Sequence, residues 1–330
     1  MVSNLGQAEG LLLYLLTIKC TVMAKSSFFI TSLVVLVLTS CDDPIPIPVE
    51  VARPELVVVS NFTSNEAIQV TVTKTNPVLE GSNREFVLDA SVKIYKGAVF
   101  SEHLVQKNIN DGDFVYYTTE RLRPEIGTTY TIEVEAPGFE PVTATSKIPE
   151  AISILGFELF DVAIQNLNTG ETAIDYRVAL TFEDPANEEN YYHLNLFQQI
   201  YDFKVVELDT MITGSYLQVW AFDDFEDTGK TPHPLGGLLL HDGTFNGQRI
   251  SFDFPVSITY DESDELLGKV FLELRSVTQD YHNYYIDISE QVSNANSPFK
   301  DPIIINDNIE GGSGIFAGYS SARDSVLINQ

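Results

Sequence analysis

Five histidines are the first residues to test for chemistry: His103, His193, His233, His241 and His282. A pair at i,i+2 or i,i+4 would set two imidazoles on one face of a strand or helix and could begin a metal site. No two histidines here have either spacing. His233 and His241 flank the segment 234–240 and could converge across a turn, but isolated histidines are more often satisfied core or surface residues. Acids cluster at Glu183-Asp184 with Glu188-Glu189, at Asp223-Asp224 with Glu226-Asp227, and at Asp261-Glu262 with Asp264-Glu265. Calcium takes oxygen ligands of this kind. None of the three follows the D-x-[DN]-x-[DN]-G order of a calcium loop, so solvated loops are the expectation. A carboxylate pair for glycoside cleavage depends on a separation in space and stays open at this stage. The glycine cluster Gly311-Gly312-Ser313-Gly314 lacks the Lys-Ser or Lys-Thr of a phosphate cradle and reads as a turn beside a strand. With no His-Glu-x-x-His and no Gly-x-Ser-x-Gly, the expectation is a chain without catalytic residues, cofactor or metal.

Cys41 is the exception. It closes the tetrapeptide Leu38-Thr39-Ser40-Cys41, behind an apolar run at 28–39 that has Lys25 before it. The run is shorter than the roughly 20 apolar residues that span a bilayer, and it fits the apolar region of a signal peptide. The tetrapeptide resembles a lipobox, a motif whose cysteine thiol is acylated before the chain is cut ahead of it. Cys41 is therefore the expected lipidation site, with 23–40 as its signal peptide. A start at Met23 gives a complete signal, which makes 1–22 an expected mis-assigned upstream stretch. Cys20 is the only other cysteine, so the body from Cys41 onward is expected to hold no disulfide.

Composition narrows the partners. The 330 residues hold 19 Lys and Arg against 47 Asp and Glu, a formal charge of −28 that repels nucleic acid and anionic lipid alike. Any membrane attachment must then come from the acyl chain. Tyr191-Tyr192, Tyr216, Trp220, Phe222, Phe225 and Tyr284-Tyr285 exceed the aromatics one small core needs. Most are expected in cores, and any left on loops could stack on sugars or anchor a protein.

The elements that would position these residues read as strands. Residues 41–53 carry Pro44, Pro46 and Pro48 and form an extended tether. Beyond it the apolar period is two: Ile68, Val70 and Val72; Val92 and Ile94; Tyr130, Ile132, Val134 and Ala136. Later sets are Val178, Leu180 and Phe182; Tyr192, Leu194 and Leu196; Ile250, Phe252 and Phe254; and Val270, Leu272 and Leu274. Turn residues separate the runs. The expected class is all-β: an immunoglobulin-like sandwich over 54–148, then a larger sandwich or partly open barrel over 149–330. Tyr281, Tyr284, Tyr285, Ile288 and Val292 recur at helical spacing, which predicts one packed helix over 278–292.

Segments 55–61 (ELVVVSN), 90–95 (ASVKIY), 127–132 (GTTYTI), 281–285 (YHNYY) and above all 308–318 (NIEGGSGIFAG) resemble a family of Bacteroidota lipoproteins known as domain of unknown function 4249. The resemblance covers nearly the whole chain after Cys41. It implies a non-enzymatic outer-membrane lipoprotein, held in the lipid through Cys41, exposed at the cell surface and often encoded beside a TonB-dependent receptor. The implied role is accessory to that transporter in nutrient capture. A carbohydrate-binding or adhesive protein is the alternative, and a hydrolase a third. The family carries over no catalytic residues and no ligand. Asp42-Asp43 is similar to an acidic export signal, and Asp209-Thr210-Met211 and Asp324-Ser325-Val326 look like O-glycosylation tripeptides of that phylum.

Overall fold

The structure, a computed structural model, describes residues 53–328 apart from 77–83, 110–112, 168–170, 187, 207–208, 221–229, 295–299 and 301–302. Cys41, the segment 23–40 and the tether up to residue 52 lie outside the described residues.

Alternating Val, Ile, Thr and Tyr favour a pleated strand with one buried and one wet face. The first half realises this in β1 (Leu56–Thr63), β2 (Gln69–Lys74), β3 (Ser91–Lys96), β4 (Val99–His103), β5 (Val105–Ile109), β6 (Phe114–Thr118), β7 (Thr129–Glu135) and β8 (Val142–Lys147). One layer has the order β4-β3-β7-β8, and the other runs β1-β2-β6-β5. Val58, Phe62, Val70 and Val72 from one layer meet Val92, Ile94, Tyr130 and Ile132 from the other in a single apolar cluster. Period-two burial thus sorts the strands into a two-layer sandwich.

The second half opens with β9 (Ile154–Asn166), β10 (Thr172–Glu183), β11 (Tyr191–Val206), β12 (Asp209–Val219), β13 (Lys230–Pro232) and β14 (Leu238–His241). It closes with β15 (Arg249–Tyr260), β16 (Glu265–Val277), a helix α1 (Gln279–Asn294) and β17 (Ser313–Leu327). Strands β15-β10-β9 form a small antiparallel sheet. Val178, Leu180, Phe254 and Val256 from that sheet pack on Leu194, Leu196, Leu272 and Leu274 of β11 and β16. Between Ile148 and Ile152 the chain passes from the first apolar cluster to this second one. Among the described residues the sheets stay open and no barrel closes.

Strand β17 belongs to both halves. It pairs antiparallel with β16 on one side and parallel with β1 on the other, in register Val58↔Gly314, Ser60↔Phe316 and Phe62↔Gly318. The result is a continuous sheet, β13-β14-β11-β16-β17-β1-β2-β6-β5, with β12 joined to β11. Residues 52–330 form one compact unit. Glycine is needed where β17 runs close to other backbone. Gly314 has φ +119°, and a Cβ there would strike the Val58 carbonyl. A Cβ at Gly318 would strike the Lys147 carbonyl. The glycine cluster is the turn and first residues of this strand.

Helix α1 starts where Thr278 Oγ1 accepts the Tyr281 backbone N–H at 3.3 Å, and Asp280 lies in the first turn, where an anion suits the helix dipole. Tyr281, Tyr284 and Tyr285 are buried, as their spacing predicts. Val292 is the correction: it is 60% exposed, because it faces an open cleft beside the turn after β13 and not a packed sheet.

Gly314→Ala combines a strained φ with a backbone collision and is expected to lower unfolding free energy by more than about 2 kcal/mol. Thr213→Ala, on the exposed face of β12, is expected to stay within about 0.5 kcal/mol. Urea midpoints at unchanged slope measure both.

Candidate functional site

The outward face of the continuous sheet carries the odd-numbered residues of β11 and their cross-strand neighbours. Asn195 pairs with Glu273 and Glu273 with Arg323; in the next row His193 pairs with Arg275 and Arg275 with Ser321. Period two therefore lines polar side chains along the outside, while Leu194, Leu196, Leu272 and Leu274 fill the core beneath. Helix α1 packs across this face against β17, β11 and β13.

Glu273, only 3% exposed, holds two guanidiniums. Arg275 reaches Oε2 through Nη2 at 2.7 Å and Nε at 2.8 Å, and Arg323 reaches Oε1 through Nη2 at 2.7 Å and Nε at 2.8 Å. Burial would lift the Glu273 carboxyl, but the facing charges and bonds of Arg275 and Arg323 outweigh it and hold it below its ordinary value. One carboxylate cannot neutralise two cations. The Arg275 guanidinium also lies 4.5 Å over the Tyr319 ring, whose π face suits a cation.

Beside this triad two histidines stack, with centroids 4.1 Å apart and planes 19° from parallel. His193 Nδ1 accepts the Tyr281 hydroxyl at 2.8 Å, and its Nε2 donates to the Gly236 carbonyl at 3.0 Å. His233 Nδ1 accepts the Leu235 backbone N–H at 3.1 Å, which leaves the proton on Nε2. That Nε2 is buried and has no hydrogen-bond partner. Burial and the Arg275 charge push His233 down to about 3; burial, His233 and Arg275 push His193 well below the ordinary value. Both imidazoles are neutral near pH 7. The far face of His233 meets Tyr285 at 4.3 Å, and Tyr285 Oη accepts from Asn61 Nδ2 of β1 at 2.6 Å.

Tyr281, Tyr285, Ser289 and Ser293 follow at i,i+4 along one face of α1. The two tyrosines fill the space against His193 and His233, and the serines do not. Where they begin, a cleft of about 730 Å³ opens between α1 and the turn after β13. Its lining includes Thr231, His233 and the carboxylate of Glu290.

The other histidines lie apart from this pair. Tyr191 stacks on His241 at 5.0 Å and meets His282 at 4.9 Å. His282 is buried with Nδ1 unpartnered, and burial pushes it down to about 4. His233 thus meets His193, not His241 across the turn. His103 sits on β4 beside Phe100. Among the described residues no group of three or more His, Cys, Asp or Glu is placed to hold a metal ion. Asp184 is buried, accepting from the Tyr192 hydroxyl and from Gly247 N at 2.8 Å, while Asp261 Oδ1 accepts its own loop's Ser263 N at 2.9 Å. The cluster 223–227 lies outside the described residues, as do Phe222 and Phe225. Tyr192, Tyr284 and Tyr285 are core, Trp220 packs on the second cluster, and Tyr216 is 44% exposed on β12.

Hydrogen bonds and ring stacking hold this arrangement together. His193 has both ring nitrogens occupied, its hydroxyl partner Tyr281 is held protonated by burial, and burial with the Arg275 charge keeps His233 neutral near pH 7. Sequence spacing missed the pair because its members are 40 residues apart and meet through the pairing of β14 with β11. The one local signal was the YHNYY run. Of the two glycosylation-like tripeptides, Thr210 is exposed on β12 and Ser325 is half-buried on β17.

Residues 42–325 match the family model described as Domain of unknown function (DUF4249). No curated protein matches the chain.

The depressed histidines set a pH dependence. Above pH 6.5 they are neutral in both states and stability is full. As pH falls below 6.5 the unfolded chain takes up protons that His282 and His233 refuse until about 4 and about 3, so stability is lost. Each contributes up to about 1.4 kcal/mol per pH unit in that window. His282→Gln is expected to flatten the fall of unfolding free energy between pH 6.5 and 5 by about one proton. An unchanged slope would contradict the assignment.

Proposed function

The chain belongs to the family of domain of unknown function 4249, and we propose that it is a non-enzymatic outer-membrane lipoprotein, acylated at Cys41 and displayed at the cell surface. In this role it is an accessory of a TonB-dependent transporter in nutrient capture. The observation that carries this reading is the Leu38-Thr39-Ser40-Cys41 motif, set between an apolar run and a proline-spaced tether that leads to β1. A chain with a formal charge of −28 repels anionic lipid, so an acyl anchor supplies the attachment that its surface does not. Supporting a protein partner, the β11–β12 hairpin exposes Val205, Met211, Ile212 and Leu217, each at least half accessible. Supporting a binding role over a catalytic one, burial and the Arg275 charge hold His193 and His233 well below the ordinary histidine value, so both imidazoles stay neutral.

Cys41→Ser is expected to release the protein from the membrane fraction and abolish incorporation of labelled fatty acid. Wild-type protein, pulled down from native outer membranes, is expected to bring a TonB-dependent receptor with it and to be cleaved by protease added to intact cells. A Cys41→Ser protein that stays membrane-bound would refute the anchor. A wild-type protein recovered alone would refute the transporter role.

A further inference from the structure

We propose that the outward face of β12, β11, β16 and β17 is a docking surface for a protein that presents apolar side chains ringed by carboxylates. The proposal rests on the transporter reading for the existence of a partner and on this face for the partner's chemistry. Strand register fixes what the face carries, because residues directly opposite across a ladder share a side of the sheet. Beyond the Asn195–Glu273–Arg323 row, away from the stacked histidines, the next row pairs Phe197 with Phe271. Farther along, Leu217 pairs with Gln199, Leu266 with Tyr201, and Ile212 with Phe203. Leu327 enters the same face opposite Lys269. Ile212, Leu217, Leu266 and Leu327 are exposed, and Phe197, Tyr201, Phe203 and Phe271 are half-buried. Apolar surface therefore runs across four strands, and exposed patches of that kind mark association sites.

The charges on these strands are sorted by face. Asp202 pairs with Glu265, Asp209 with Val206 and Asp324 with Leu272, which puts all four acids on the opposite side. The one acid directed outward is Glu273, buried and held by two guanidiniums. The accessible charges on the outward face are then cations: Lys269 is exposed, and the Arg323 side chain is 65% accessible. A chain of charge −28 thus keeps one apolar face whose exposed charges are positive. An apolar surface bearing carboxylates complements it, and opposite charges would steer the approach. A second copy set face to face would bring Lys269 and Arg323 against their own kind. Anionic lipid is repelled by the acidic remainder of the chain.

Photo-crosslinking in intact cells, on the full acylated chain, tests the proposal. Benzoylphenylalanine is placed at Leu217 on the face or, as the control, at Ile164, an exposed apolar residue of β9 in the three-stranded sheet. The expected product is a protein adduct from 217 and none from 164, with Asp or Glu in the crosslinked peptide of the partner. Lys269→Glu is expected to lower the yield from 217 roughly tenfold, and Lys in place of the partner's mapped acid to restore it. Melting temperatures control for folding. No adduct, an adduct with lipid or another copy of this chain alone, equal yields from 164 and 217, or indifference to Lys269→Glu would overturn the proposal. The identity of the adduct separates the two readings. A charge-swapped partner other than a TonB-dependent receptor supports the face and refutes only the transporter role. A receptor that is pulled down but does not crosslink at 217 refutes only the face.

Discussion

The parallel pairing of β1 with β17 is the constraint on which the rest of the structure depends. It joins residues 57–63 to 313–319, the beginning and end of the described body. A parallel pair needs a crossover between its strands, and here the crossover is nearly the whole chain. Phe62 stacks on Phe316 at 4.6 Å across it, and Asn308 clamps Phe316 by accepting its N–H at 2.9 Å and donating to its carbonyl at 2.8 Å. Gly314 lets the Val58 carbonyl of β1 come close enough for the pairing to form, and Gly318 lets the Lys147 carbonyl of β8 approach the same strand. Without it the two apolar clusters would share no sheet.

The candidate site follows from that continuity. Because β17 lies between β16 and β1, the outward face can set Arg323 beside Glu273, and Asn61 of β1 can reach Tyr285 of α1. The helix is thereby fixed from both halves. Burying a Glu with two Arg adds little net stability by itself, since desolvation offsets attraction. Its effect is positional: the Arg275 charge beside the stacked imidazoles helps keep them neutral, and neutral imidazoles can pack face to face.

Much of the architecture was legible in the sequence because its signals are local. Val70 and Val72, Ile132 and Val134, Leu272 and Leu274 alternate and are buried, and the tyrosine spacing located α1 to within a turn. Val292 misled because periodicity cannot say whether a helical position faces a packed sheet or an open cleft. The His193–His233 stack and the β1–β17 register were illegible for one reason: each depends on strands paired across long sequence separations. The segments that carried the family resemblance prove to be architectural. ELVVVSN and NIEGGSGIFAG largely form the parallel pair and the glycine turn before it, and YHNYY supplies the tyrosines that pin the helix to the sheet. They report how the halves are joined more than what the surface binds.

If the β1–β17 pairing unites both clusters, the described body must unfold as one unit. Scanning calorimetry of the protein measures this directly. The account predicts one endotherm, with calorimetric and van't Hoff enthalpies in agreement. Two resolved transitions, one for each cluster, would contradict it.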